Sequence, residues 1–398
     1  MIALFLSPVY LLVNFYILRW ILKWMGACTH YFKKKWFRVV FIAAYAFVST
    51  SLLTAFLIKE PVIIHRFLKT VSNLYLGTFL YILLTVAVVD LVRIIMRHLK
   101  CVNQDKLRSR RTFVLTGTIC VVVIISLSVY GSLHARHIYK TSYEVTVDKS
   151  GGSDQSLKIA LVADMHLGYS IGSWHMKQMV DKINAMDPDI VCIAGDIFDN
   201  EFEAIKNPDE IARTLSQIKS KYGVYACWGN HDIEEPILAG FTFGSQKKIG
   251  ADTQMVDFLK ASGITLLTDQ TVLINDNFYL TGREDYSVTK KDKETRKTPS
   301  QLTEELDKSK PVVFIDHQPK ALQEAADAGV DLYLCGHTHD GQMFPGNLTI
   351  GLLWENPYGY LKKDNMHNIV TSGVGVWGPN MRVGTKSEVV EINVSFDK

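Results

Sequence analysis

Four long apolar runs fill the first third of this 398-residue chain and constrain its fold more than anything after them. Residues 2–25, 36–58, 71–96 and 112–133 each approach or exceed the roughly 20 residues that a helix needs to cross a hydrocarbon core of about 30 Å. In lipid the backbone finds no water to bond, so such runs fold as helices that satisfy their own N–H and C=O groups. A region of four membrane helices is therefore expected over residues 1–135. The first run contains Pro8 and Arg19. It lacks a basic leader and a small-residue cleavage pattern, and is read as a retained helix, not a removable signal peptide.

Lysine and arginine set the orientation. Arg19, Lys23, Lys33, Lys34, Lys35 and Arg38 surround the first connection, and Arg93, Arg97, Lys100, Lys106, Arg108, Arg110 and Arg111 the third. The second has only Lys59, Arg66 and Lys69. The positive-inside rule puts the two richer connections in the cytoplasm and everything after residue 133 on the extracytoplasmic side. Asp90 is an acid well inside a run, and Arg93, three residues on, is its expected partner. With a net charge of only +3, and basic residues gathered at helix ends, no nucleic-acid partner is expected. The six cysteines form no C-x-x-C pair, so neither a disulfide framework nor a zinc ribbon is indicated.

Residues 136–156 read as a polar connector with a strand at 143–147. From residue 157 the pattern changes to short Val- and Ile-rich runs at 157–163, 190–194, 224–228, 278–281, 312–315, 332–335, 369–372 and 389–394. Helical patterns fall between several of them, at 175–186, 208–221, 253–261, 299–308 and 319–328. Such alternation predicts one layered α/β domain over 157–398, large enough for a substantial core. The charged stretch 290–310 reads as a solvated excursion or lid.

The residues just beyond the strands are more telling. The runs end in Asp164-Met-His166, Gly195-Asp196-Ile-Phe-Asp199, Gly229-Asn230-His231-Asp232, Asp316-His317 and Gly336-His337-Thr-His339. Glycine before three of these groups permits tight turns and close backbone approach. Each position alone has an ordinary explanation: Asp164 as a helix cap, Asn230 as a turn former, His317 as a core histidine. Five strand ends carrying such residues together point to metal binding. Imidazole and oxygen donors without thiolate disfavour a structural zinc site and suit Mn²⁺, Fe or catalytic Zn²⁺ better than Ca²⁺ or Mg²⁺. Seven potential ligands exceed the needs of one ion. Two ions about 3.5–4 Å apart, sharing a carboxylate, can clamp a phosphoryl oxygen. If the backbone stays extended at 337–339, both rings project to one face.

These motifs, in this order, resemble those of the calcineurin-like metallophosphoesterase family over residues 157–398. D-H-Q-P, G-H-T-H-x-G-Q and Ser372-Gly-Val-Gly-Val-Trp-Gly-Pro are further similar to a bacterial, membrane-associated branch of the YkuE/YaeI type. Asp340 stands where that branch often has glycine, and removes no ligand. The resemblance implies a layered α-β-β-α sandwich. It implies one metal on Asp164, His166, Asp196 and His339, and a second on Asn230, His317, His337 and the bridging Asp196. A hydroxide between the metals would attack phosphorus, with His231 stabilising the transition state or protonating the leaving oxygen. Asp199 and Asp232 would orient the ligands or His231, although an N-cap explains either nearly as well. Arg382 is a candidate contact for a substrate phosphate, with an ordinary surface arginine as the alternative. Gly373-Val-Gly-Val-Trp-Gly378 spells a dinucleotide fingerprint, but too little chain follows for the βαβ unit it requires; it is expected to line the cleft instead.

The expectation is a membrane-anchored phosphoesterase with two divalent ions, acting on a phosphomonoester or phosphodiester. The membrane helices suggest a lipid-linked or cell-envelope substrate and lipid contact. Alternatives are a membrane receptor or scaffold that binds without hydrolysis, and, last, a metal hydrolase of another bond, for which H-E-x-x-H is missing.

Overall fold

The computed structural model describes residues 2–232, 237–238, 241–242, 253–286 and 296–397. The chain divides into two compact units, Met1–Gly131 with Leu238–Phe241, and Ser132–Ile237 with Thr242–Lys398.

The first unit is built on helices α1 (Ile2–Cys28), α2 (Lys35–Leu57), α3 (Val62–His98) and α4 (Arg110–His134, whose last turn enters the second unit). All four are long and apolar enough to cross a membrane. Helix α3, 37 residues long, starts nine residues before the expected run. His65, Arg66 and Lys69 interrupt the apolar pattern there without interrupting the backbone ladder. Inside the unit, Asn14 of α1 accepts hydrogen bonds from the hydroxyls of Tyr45 in α2 (3.0 Å) and Tyr75 in α3. Asp90 accepts from Tyr16 of α1 at 2.7 Å, a partner 74 residues away that helical spacing does not reveal.

The second unit is a four-layer α-β-β-α sandwich. Strands β1 (Ile138–Val147), β2 (Ser156–Val162), β3 (Ile190–Ala194), β4 (Val224–Cys227) and β5 (Ile264–Leu266) join the C-terminal strand β12 (Ser387–Phe396) in one sheet, ordered β1-β12-β2-β3-β4-β5. The other sheet is ordered β10-β11-β9-β8-β7-β6. It contains β6 (Gln270–Ile274), β7 (Phe278–Gly282), β8 (Val312–Ile315), β9 (Leu332–Cys335), β10 (Gly359–Lys363) and β11 (Met366–Val370). Alternate residues of each strand face opposite layers. In β2, Ile159 and Leu161 pack with Val313, Ile315 and Leu334 between the sheets. Ala160 and Val162 instead face helices α5 (Ser173–Met186), α6 (Pro208–Leu215) and α7 (Thr253–Ala261). Phe314, Tyr333 and Cys335 face α8 (Pro299–Thr303) and α9 (Leu322–Asp327) on the far side.

Strands β2, β3 and β4 run parallel, as do β8 and β9, so within each sheet their carboxyl ends lie along one edge. That is where open α/β sheets place their sites.

Several expected boundaries shift. The stretch 136–156 carries a longer strand than expected: β1 pairs with β12 over ten residues, burying Ile138, Val145 and Val147. Strand β11 begins three residues before the expected 369, at buried Met366, and its next two residues are polar but satisfied. His367 Nε2 bonds Thr146 O at 2.9 Å, and Asn368 Nδ2 donates to Tyr333 O at 2.9 Å. Strands β5, β6 and β10 were not expected; each is an edge or near-edge strand whose half-exposed residues weaken the apolar signal. Of the charged excursion, residues 290–295 lie outside the described residues. Residues 296–310 contain α8, started by a capping box between Thr298 and Gln301.

Glu388 of β12 is fully buried and joins four segments. Its carboxylate accepts from Thr141 of β1, Tyr358 (3.2 Å), Thr371 (3.2 Å) and the Ser372 N–H (3.1 Å), and pairs with Lys386 at 3.3 Å. Glu388→Ala strands these donors and a partly buried cation. It should cost about 3 kcal/mol or more, read as a lower thermal unfolding midpoint of the full chain in detergent.

Candidate metal centre

The site is assembled at the edge where the parallel strands end. The residues following β2 and β3 are laced together by backbone bonds: Asp164 N–H to Gly195 O and His166 N–H to Asp196 O, both 3.0 Å. Glycine is required at two of these crossings. Gly195 has φ +74°, and a Cβ there would lie 2.8 Å from His317 Nδ1. A Cβ on Gly229 would collide with Asp196 Oδ1. The candidate ligands themselves are bent into the left-handed region, with φ +54° at Asp164, +47° at His166, +50° at Asp196, +75° at His337 and +51° at His339. Such conformations cost of order 1 kcal/mol or more each and persist where surrounding structure over-determines them.

Asp196 is the hub. Its Oδ1 accepts the His231 N–H at 2.8 Å. Its Oδ2 lies 3.1 Å from His317 Nε2 on one side and 3.7 Å from His166 Nε2 on the other. On the first side, His317 Nε2 is also 3.1 Å from both Asn230 Oδ1 and His337 Nδ1. The other ring nitrogen, Nδ1, donates to Ala194 O at 2.9 Å, which aims Nε2 into the group. On the second side, His166 Nε2 and His339 Nε2 are 3.0 Å apart, and His339 Nε2 is 3.7 Å from Asp164 Oδ1. The Asp164 carboxylate is itself held by the His337 N–H at 3.0 Å. All seven residues expected as ligands therefore converge, in two clusters joined at Asp196. Both clusters set lone-pair-bearing nitrogens and oxygens against one another and out of water, an arrangement that a cation resolves.

The electrostatics agree. Burial raises the Asp164 carboxyl to about 6. Burial works against ionisation of Asp196 too, yet the surrounding imidazoles, His317 first, hold it well below the usual range. Burial pulls His317 down, but the carboxylates of Asp196 and Asp164 outweigh it and leave the ring well above its ordinary value. His337 and His339 are pushed well down, chiefly by burial and neighbouring cationic groups.

The backbone at 337–339 is not extended. His337 has a positive φ, and His339 opens a short 3₁₀ turn to Gly341. The rings therefore do not share a face by strand pleat. The turn sends His337 to the Asn230–His317 cluster and His339 to the Asp164–His166 cluster.

His231 is buried, its ring 5.1 Å from that of His166. Its Nδ1 bonds Asn200 Oδ1, a partner sequence reasoning missed although Asn200 directly follows Asp199. Asp199 Oδ1 stands 3.6 Å from His166 Nδ1. Asp232 acts on the backbone: its carboxylate accepts the N–H groups of Phe198 (2.8 Å) and Gly229 (2.7 Å), fixing two site turns, while Asn200 takes the His231 ring.

Arg382 requires a correction. It is fully buried, and its guanidinium donates to the carbonyls of Gly375 (2.8 Å) and His339 (3.3 Å) and lies 3.2 Å from His339 Nδ1. Engaged by these acceptors, it positions His339 and the 372–379 loop instead of meeting a substrate phosphate. That loop does line the site: Val374 N–H and Gly375 N–H bond Ala163 O (2.9 Å) and Asp164 O (2.8 Å), and Gln342 clamps Trp377 and Pro379.

The donor groups are candidates for holding divalent metal ions. Added Mn²⁺ should raise the unfolding midpoint of chelator-treated protein, and Asp196→Asn should abolish the rise. His317 must lose its proton before Nε2 can bind, so metal affinity should fall as pH is lowered, with protons released on binding. Calorimetric titration in buffers of different ionisation enthalpy measures both.

Residues 157–341 match the family profile described as calcineurin-like phosphoesterase. An uncharacterized metallophosphoesterase of Campylobacter jejuni is 26% identical over 100% of both chains. A transmembrane protein with metallophosphoesterase domain from Danio rerio is 28% identical, covering 69% of this chain and 61% of the relative. The UDP-2,3-diacylglucosamine pyrophosphatase LpxG of Chlamydia trachomatis is 23% identical, covering 58% of this chain and 80% of the relative. The chain spans about three-fifths of the length of several curated relatives it matches. The profile match takes in every strand end described above, and the chain carries a domain of the calcineurin-like metallophosphoesterase family.

Proposed function

We propose that the protein is a membrane-anchored, metal-dependent phosphoesterase that hydrolyses a phosphomonoester or phosphodiester at this centre. The observation that carries the reading is the position of Asp196 Oδ2 between two clusters of imidazole and oxygen donors. Asp164, His166 and His339 would hold one ion and Asn230, His317 and His337 the other, with Asp196 shared. Two such ions would supply Lewis acidity toward a phosphoryl oxygen and would lower the pKa of a bound water toward neutral.

The protein's own groups do the rest. The His231 N–H pins Asp196, so the shared carboxylate keeps its orientation as charge develops. Burial holds the His231 ring below its ordinary pKa, and with Nδ1–H given to Asn200 its Nε2 is left for the substrate. An arriving phosphate anion favours the imidazolium, which can give its Nε2 proton to the leaving oxygen. Asn200 keeps that ring in place. Asp199 stands behind His166, and buried Asp232 holds the two turns.

Purified full-length protein with Mn²⁺ should hydrolyse bis-p-nitrophenyl phosphate or p-nitrophenyl phosphate. Asp196→Asn should abolish turnover. His231→Gln should lower kcat by about 10²–10⁴. Asn200→Ala should lower kcat by about tenfold with a shifted pH profile and little change in KM. Turnover indifferent to chelator and to Asp196→Asn would overturn the reading; metal binding without turnover would favour a receptor or scaffold.

For the substrate, a lipid-linked phosphoester is favoured by the four apolar helices and by the lipid-phosphate name of the Chlamydia relative. The lysine and arginine distribution favours an extracytoplasmic catalytic domain, with residues 1–135 as anchor. Alkaline phosphatase fused after Lys398 should then be active, and a green fluorescent protein fusion dark; the reverse pattern places the domain in the cytoplasm.

A further inference from the structure

Directly after the metal-site turn, residues 341–354 run for fourteen positions without a charged side chain. This stretch exposes Phe344 (45%), Leu348 (68%), Leu352 (85%) and Leu353 (78%). Beyond α4, the other exposed large apolar residues described in the second unit, Trp174, Leu273, Tyr286 and Tyr360, are scattered over separate elements. Scattered apolar residues are normal on a protein surface, whereas a cluster of this kind marks an interaction site.

The segment is held in place at both ends. Met343 is buried, the Phe344 N–H bonds Val383 O at 2.7 Å, and local bonds join Leu348 N–H to Pro345 O (2.9 Å) and Leu353 N–H to Ile350 O (3.0 Å). At its far end the Trp354 ring packs edge-on against His337, with centroids 5.0 Å apart. The leucines are therefore presented by a fixed turn that leans on the metal centre. Lys320 completes the rim, its ammonium 5.0 Å from the Trp354 ring and 4.6 Å from that of Tyr286.

We infer that segment 344–354 is a membrane-insertion loop: its leucines enter the apolar surface of a lipid bilayer and bring the metal centre to the lipid–water boundary. Side chains that stand this far out enclose no groove, so a single bound acyl chain would leave most of their surface in water. A bilayer surrounds each of them. The chain's own four membrane-length helices supply that bilayer. Aromatic residues beside the leucines and a cation at the rim match the interfacial zone, where rings sit at headgroup level and ammonium groups meet phosphate. Insertion itself needs no catalysis. Only its consequence, that the phosphoester is drawn from the bilayer, rests on the phosphoesterase reading.

The test uses the full chain in phosphatidylcholine nanodiscs, in a Cys28→Ser, Cys101→Ser background. An environment-sensitive fluorophore is placed at Leu352→Cys or, as a second variant, Leu348→Cys. Emission should shift to the blue, and doxyl-labelled phosphatidylcholine should quench it at least twofold, as it should at Leu115→Cys of α4; a label at Leu273→Cys should stay unquenched. No quenching at 348 and 352 with Leu115→Cys quenched overturns the inference. So does a blue shift that needs only monomeric dihexanoylphosphatidylcholine, which would show a grip on single chains. A quenched loop on a protein inactive toward bis-p-nitrophenyl phosphate would leave the inference standing and remove the phosphoesterase reading.

Discussion

One carboxylate, that of Asp196, sets the terms for the α/β half of this protein. It is out of water, its Oδ1 fixed by the His231 N–H and its Oδ2 facing His317 and His166. A buried anion of this kind demands compensating positive charge. The carboxylates of Asp196 and Asp164 hold the His317 ring well above its ordinary pKa, and the donors around it are those that divalent ions use. Structure and chemistry thus share one cause: what makes the edge unfavourable as bare protein is what fits it to hold metal.

The rest of the fold keeps that carboxylate in position. Parallel β2, β3 and β4 in one sheet, and β8 and β9 in the other, bring five strand ends to the site. Gly195 and Gly229 let the turns approach within contact of His317 and Asp196. The left-handed backbone at Asp164, His166 and Asp196 is strain that the two packed sheets and the Asp232 and Arg382 bonds sustain. Positioning by bonds to backbone is rigid, and a site that holds metal in a set geometry depends on rigidity.

The first unit obeys a different solvent. Its outward side chains are largely apolar, and polar groups turn inward, as Asn14 does toward Tyr45 and Tyr75. In the second unit, the turn at 344–354 exposes apolar side chains beside the residues that would hold metal.

Much of this was legible in the sequence. Apolar length alone determines the four long helices, because lipid leaves the backbone no other partner. Short Val- and Ile-rich runs mark the buried strands, and β3, β8 and β9 fall where their patterns place them. The seven candidate ligands were readable because turn glycines and metal-binding residue types recur at strand ends. Tertiary structure alone decided the rest. Strands β1 and β11 were obscured because their polar residues are satisfied by partners far along the chain. Asn200 beside His231, and Arg382 turned inward on His339, depend on contacts that no local pattern encodes. The division of His337 and His339 between two clusters was implied by the family resemblance, but their spacing alone does not encode it. Spacing of two residues implies a shared face only on an extended backbone, and it was the positive φ of both histidines, imposed by the packed turn, that sent them apart.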